Sequence, residues 1–157
     1  MMSALLNNLS FRNSVRGYVK VSDGSIIILR AAIVDVIPLQ ISSPFSVEFN
    51  VNFIVGISLR PSERALNEVK DKPILEPGKQ VNEGWIELEI DDKVSAYEEV
   101  TYKDAKIGEY LIRLEIEPIM ASKNTQFKMQ QGPLYALRWA PKISWHKTEI
   151  LQFAKEP

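Results

Sequence analysis

Apolar and polar side chains alternate along most of this chain. Over residues 45–53, Phe45, Val47, Phe49, Val51 and Phe53 alternate with Ser46, Glu48, Asn50 and Asn52, a period of two that a strand satisfies and a helix does not. Ile86, Leu88 and Ile90 alternate with Trp85, Glu87 and Glu89, and Tyr110, Ile112, Leu114 and Ile116 with Leu111, Arg113, Glu115 and Glu117. Both segments read as half-buried strands. Residues 96–103, with Tyr97, Val100, Thr101 and Tyr102, favour strand as well, and Gly108 marks the turn into the next one. Residues 17–22 and 25–37 read as two further strands joined at Asp23-Gly24, where glycine supplies the positive φ of a two-residue hairpin turn. The near-continuous Ile and Val of the second predicts burial on both faces, or a bend near Ala31 and Ala32 that carries it from one sheet to another. A last extended segment, 134–147, places Leu137, Trp139, Ile143 and Trp145 on one face. Pro141 within it has no amide to donate, so this strand is predicted to be an edge or to carry a bulge.

One segment breaks the pattern. Pro61-Ser62 followed by Glu63 reads as a cap and first helical turn, Ala65, Leu66 and Val69 share a face, Lys70 and Lys72 suit the C-terminal end, and Pro73 stops the run. A short helix is therefore expected near residues 62–72. Residues 73–84, with two prolines and two glycines, form one long irregular connection. Leu5, Leu6 and Leu9 have helical spacing in a stretch too short to be stable alone, so residues 1–14 are expected to be a docked or frayed tail. The sum is a mainly β single domain over residues 1–157, an antiparallel β-sandwich or barrel of about 7–9 strands with one inserted helix.

Composition removes several chemistries. The 157 residues contain no cysteine and one histidine, His146. Disulfides, thiolate metal sites, cysteine nucleophiles and multi-histidine metal centres are thereby excluded. Without a Gly-x-x-x-x-Gly-Lys loop to cradle phosphates or an Asp-rich calcium loop, no cofactor or metal is expected. The N-terminus lacks the basic region of a secretory signal, and residues 26–37, the longest apolar run, are interrupted by Arg30 and Asp35. A cytoplasmic protein without a membrane partner is the expectation. The net charge of −1 is unevenly spread: five basic and three acidic side chains over residues 1–62, eight and fifteen over 63–117, six and two over 118–157. Such blocks mark partner surfaces of opposite sign or, the favoured reading, strands that pair their charges across a solvated sheet face.

Two constellations carry candidate chemistry. Glu87, Glu89 and Asp91 fall at alternate positions, which on one strand puts three carboxylates on one face, the arrangement used in two-carboxylate glycoside hydrolysis. The run resembles the E-x-D-x-E type signature of the jelly-roll β-glucanase family, with Glu in place of the central Asp and Asp in place of the last acid; that resemblance implies a hydrolase. Glu115 and Glu117 repeat the alternation, as an ordinary solvent-facing sheet does. In the C-terminal segment, Arg138, Lys142, His146 and Lys147 interleave with Tyr135, Trp139 and Trp145, the composition of a platform for single-stranded nucleic acid. Parity opposes it: on a regular strand Arg138, Lys142 and His146 point one way and both tryptophans the other, as core anchors. His146 has no Gly-x-Ser-x-Gly elbow to serve as a base.

The 17 isoleucines, the missing cysteine and the balanced charges are similar in composition to proteins of thermophilic archaea, and the stretches SPFSVEFNVNF and APKISW resemble small uncharacterised crenarchaeal proteins. That resemblance implies neither a site nor an activity. The leading expectation is a non-enzymatic binding or assembly module whose partner is a protein or a second copy, met at the Trp-containing edge strand.

Overall fold

In the computed structural model, which describes residues 8–39 and 47–148, the alternating segments become nine strands and one helix. They are β1 (Leu9–Val15), β2 (Gly17–Val21), β3 (Ile26–Pro38), β4 (Phe49–Arg60), α1 (Glu63–Val69), β5 (Trp85–Leu88), β6 (Ile90–Val94), β7 (Ala96–Asp104), β8 (Gly108–Met129) and β9 (Gly132–Lys147). The strands form two antiparallel sheets. Sheet I runs β1-β7-β8, with β9 along the other side of β8 and β5 beside the distal half of β8; sheet II runs β4-β3-β2-β6. Among the described residues no helix is long and apolar enough to cross a membrane.

The inner faces meet in one core. Sheet II contributes Val19, Val21, Ile27, Leu29, Ala31 and Ile33, and sheet I contributes Val100, Ile112, Leu114 and Ile116, all buried. Each large aliphatic taken from water in this way stabilises the fold by roughly 1.5–3 kcal/mol. At one end Phe49 meets Tyr102, Tyr110 and Trp145 edge-to-face, with ring centroids 5.5, 5.2 and 5.4 Å away. Trp139 packs on Phe53, and the Trp145 indole N–H donates to the Val47 carbonyl at 3.0 Å. The parity reading of β9 thus holds: both tryptophans anchor the core.

Other expectations need correction. β3 is not buried on both faces and does not change sheets: it alternates, pairs with β4 over its whole length, and absorbs one bulge between Ile33 and Asp35. Its continuous Ile and Val arise because Ile26 and Ile28 are half-buried on the outer face. Residues 9–15 are not a tail but a strand paired with β7; residues 1–7, and Phe45 of the predicted 45–53 strand, lie outside the described residues. β8 runs well past Pro118, whose missing amide is tolerated where neither β7 nor β5 pairs with β8 and where the register with β9 shifts. The segment 85–91 is two strands. The chain leaves sheet I after Leu88, joins sheet II as β6, and returns at Ser95.

That return crosses over Gly17. A Cβ there would lie 2.3 Å from the Val94 carbonyl oxygen and 2.4 Å from the Ala96 nitrogen, so only glycine lets the crossing chain approach. The helix forms as the cap residues dictate. Ser62 Oγ accepts from the Ala65 N–H at 3.1 Å, Glu63 lies in the first turn, and Ala65 and Val69 are buried.

Candidate functional site

Where α1 meets the β2–β3 turn, polar side chains gather in the interior. Gly24, at φ +88°, lets the hairpin close, and this folds Asp23 inward. Asp23 accepts from the Ser25 N–H at 2.9 Å, from Lys123 Nζ at 3.1 Å and from the Tyr135 hydroxyl. Lys123 also donates to Glu68 of α1 at 2.9 Å, and Tyr135 lies 2.9 Å from Ser25 Oγ, which accepts from the Ser62 N–H. Burial pushes the Asp23 carboxyl up, but the hydrogen bonds from Tyr135, Ser25 and Lys123 outweigh it and hold it below the usual carboxylate range. Burial opposes the charge on Lys123, yet Glu68 and Asp23 raise it above an ordinary lysine. The Tyr135 hydroxyl is raised strongly, by burial and then by its bond to Asp23. A serine and a tyrosine in contact, with a lysine bonded to the same aspartate as the tyrosine, have the makings of a nucleophile with its base. Here each is committed: no buried side-chain nitrogen or oxygen among the described residues lacks a partner. The cluster is a clasp that fastens α1 and β9 to sheet II.

The carboxylate site does not form as a unit. Glu87 stands on β5 in sheet I and Asp91 on β6 in sheet II, with Glu89 at the crossing between them, its carbonyl accepting from the Ser22 N–H at 2.9 Å. Among the described residues no three His, Asp or Glu side chains gather closely enough to hold a metal ion.

Of the C-terminal basic residues, Arg138, Lys142 and His146 are exposed on the outer face of sheet I, while Lys147, opposite buried Tyr110 and in phase with the tryptophans, is half-buried. The acids of β7 and β8 oppose basic residues: Lys142 pairs with Glu117 at 3.4 Å, and Arg113 pairs with Glu99 and Glu115 at 3.6 and 3.5 Å while lying 3.8 Å over the Tyr97 ring. This is the cross-strand pairing expected of a solvated face.

The sheet edges differ more than the faces. β6 is short and carries Asp91, Asp92 and Lys93; β1 has a bulge between Phe11 and Asn13; β5 has four residues. β9 is an edge, as its proline predicts, and it carries Pro133, Pro141, Arg138, Lys142 and His146. These are the devices that keep edges from pairing. β4 has none of them before Arg60 at its end. It bonds only to β3, residues 49–59 include no charge and no proline, and Ile54 and Ile57 are 61% and 53% exposed. Ile54 lies on the outer face of sheet II; Ile57 lines a groove of about 400 Å³ with Leu59, Met129, Leu134 and Tyr135. Sequence reasoning placed the open edge at β9 and missed β4, although an uncharged, proline-free run of 11 residues was a readable signal. Comparison with protein-family models, curated proteins and solved structures finds no match to this chain.

Proposed function

We propose that this chain is a non-enzymatic β-sandwich assembly module that joins a second copy of itself by strand addition along β4. The observation that carries this reading is that β4 alone among the described edges runs 11 residues, 49–59, without a charge or a proline, its one charged residue, Arg60, standing at its end. Two β4 strands running antiparallel about a two-fold axis are self-complementary, since the same residues face each other on both sides. Main-chain N–H and C=O groups along the edge then exchange water for each other, Ile54 and Ile57 cover apolar surface, and no charge is desolvated. Two four-stranded sheets II become one sheet of eight. The committed clasp and the dispersed carboxylates support a binding role over a catalytic one, and the cysteine-free composition suits a cytoplasmic setting.

Sedimentation velocity of the full chain over a concentration series tests the proposal. A monomer–dimer equilibrium is expected, shifted to monomer by Ile57→Lys, which places a charge on the edge while leaving the circular dichroism spectrum unchanged. A wild-type chain that stays monomeric throughout, or a dimer indifferent to Ile57→Lys, overturns it.

A further inference from the structure

All five basic side chains of residues 1–62, namely Arg12, Arg16, Lys20, Arg30 and Arg60, come to one side of the molecule. The register explains why. On the outer face of sheet II, Lys20 of β2 lies opposite Ile26 of β3, which lies opposite Arg60 of β4; one step along, Tyr18 faces Ile28. Arg16, Tyr18, Lys20, Ile28 and Arg60 line a groove of about 590 Å³. The band continues past Arg30, since Gly17 pairs with Leu29, into a groove of about 440 Å³ between β1 and β3, where Arg12 and Arg30 meet Phe11.

Unlike Lys103, Arg113 and Lys142 of sheet I, none of these five forms an ion pair among the described residues. Two carboxylates reach the band: Asp92, opposite Lys20 in the β2–β6 register, accepts from the Tyr18 hydroxyl at 2.7 Å, and Glu98, buried, accepts from the Ile33 N–H at 2.7 Å. Five cations against two carboxylates leave the band net positive, a self-repulsion that costs stability and that a polyanion relieves. Four of the five are arginines, whose planar fork matches phosphate oxygens. Between them lie an apolar floor, Ile26 and Ile28, and two aromatic rings, Tyr18 and Phe11, the latter 62% exposed.

We infer that the outer face of sheet II, together with the adjoining β1 of sheet I, binds single-stranded nucleic acid, with phosphates on Arg12, Arg16, Lys20, Arg30 and Arg60 and unstacked bases over Tyr18, Phe11 and the isoleucine floor. Bases splayed on an apolar sheet face between cations require a strand that is not already paired, which selects single strands over duplex. The net charge of −1 does not oppose this, because the field at the band is local. Arg60 is the one residue of the band on β4; the other four cations lie off it, so variants at Arg16 and Arg30 separate this inference from assembly at β4.

Fluorescence anisotropy of the full chain with a labelled single-stranded oligonucleotide, titrated at several salt concentrations, tests it. Affinity is expected to fall with salt with a log–log slope between about −2 and −3.5, since each neutralised phosphate of a single strand contributes about −0.7 and five cations are available. The double variant Arg16→Glu/Arg30→Glu should lower affinity by more than about tenfold and flatten the slope by about 1.4. Tyr18→Ala should weaken binding at every salt concentration without changing the slope. Arg138→Glu/Lys142→Glu, on the opposite sheet, should leave binding intact. Four results overturn the inference: no binding at low salt, loss of binding in the sheet I variant but not the sheet II variant, duplex competing as well as single strand, or anionic phospholipid vesicles displacing the oligonucleotide at lower phosphate concentration than it binds.

Discussion

β4 and β9 are both long edge strands, of 12 and 16 residues, and they sit across the sandwich from one another, joined by the Phe49–Trp145 and Phe53–Trp139 contacts. β9 is pinned and guarded. Tyr135 ties it to Asp23, the tryptophans tie it to the core, and prolines and cations line its length. β4 is held by β3 and by its inward side chains alone, and along residues 49–59 nothing guards its other side. A long edge is therefore not by itself a docking site. What separates the two is whether charge and proline make a new ladder costly.

The largest effect expected is on the pinned strand. Trp145→Ala empties the aromatic cluster around Phe49 and removes the donor to Val47, and should destabilise the fold by about 3 kcal/mol in urea unfolding. Tyr135→Phe should cost about 1–3 kcal/mol, because Asp23 then remains buried with one donor fewer. Asp23 titrates lower when folded than when unfolded, so its stabilising contribution is present above about pH 4 and lost as the pH falls through the folded value. Lys123 and Tyr135 titrate higher when folded, so theirs is present below about pH 10 and lost as the pH rises. Tyr135→Phe should accordingly lose less stability than wild type between about pH 5 and about pH 2, measured by urea midpoints across that range.

Ile57→Lys should leave unfolding almost untouched, its side chain being more than half exposed, and weaken self-association by about tenfold or more. The smallest effect belongs to the guarded strand's own charge. Lys142→Gln removes an exposed ion pair with Glu117 and should change stability by less than about 0.5 kcal/mol and dimerisation not at all; a marked change in association would move the docking edge to β9.

Local patterns carried much of the architecture. Asp23-Gly24 marks the hairpin because glycine supplies its positive φ, although the turn takes in Ser22 as well and is not the two-residue one expected, Ser62 and Pro73 bracket the helix because caps are local, and parity alone sends Trp139 and Trp145 inward. What could not be read locally depends on neighbours far along the chain. The break at Glu89 arises because one β-pattern serves two sheets in succession, and the length of β8 past Pro118 depends on where β7 ends and β5 begins. The charges show the same limit. Arg138 and Lys142 drew attention as a basic segment, but the register sets Lys142 beside Glu117; Arg16, Arg30 and Arg60 are scattered in sequence, and only strand pairing assembles them. The uncharged run of β4 was legible as a strand, but its place at an edge was not.

Backbone amide hydrogen exchange of the full chain, measured at concentrations well below and well above the association midpoint, tests the assembly at β4 most directly. The account predicts slowed exchange at high concentration confined to residues 49–60, with β1, β6 and β9 unchanged. Exchange in β4 that does not depend on concentration, or new protection along β9 instead, would contradict it.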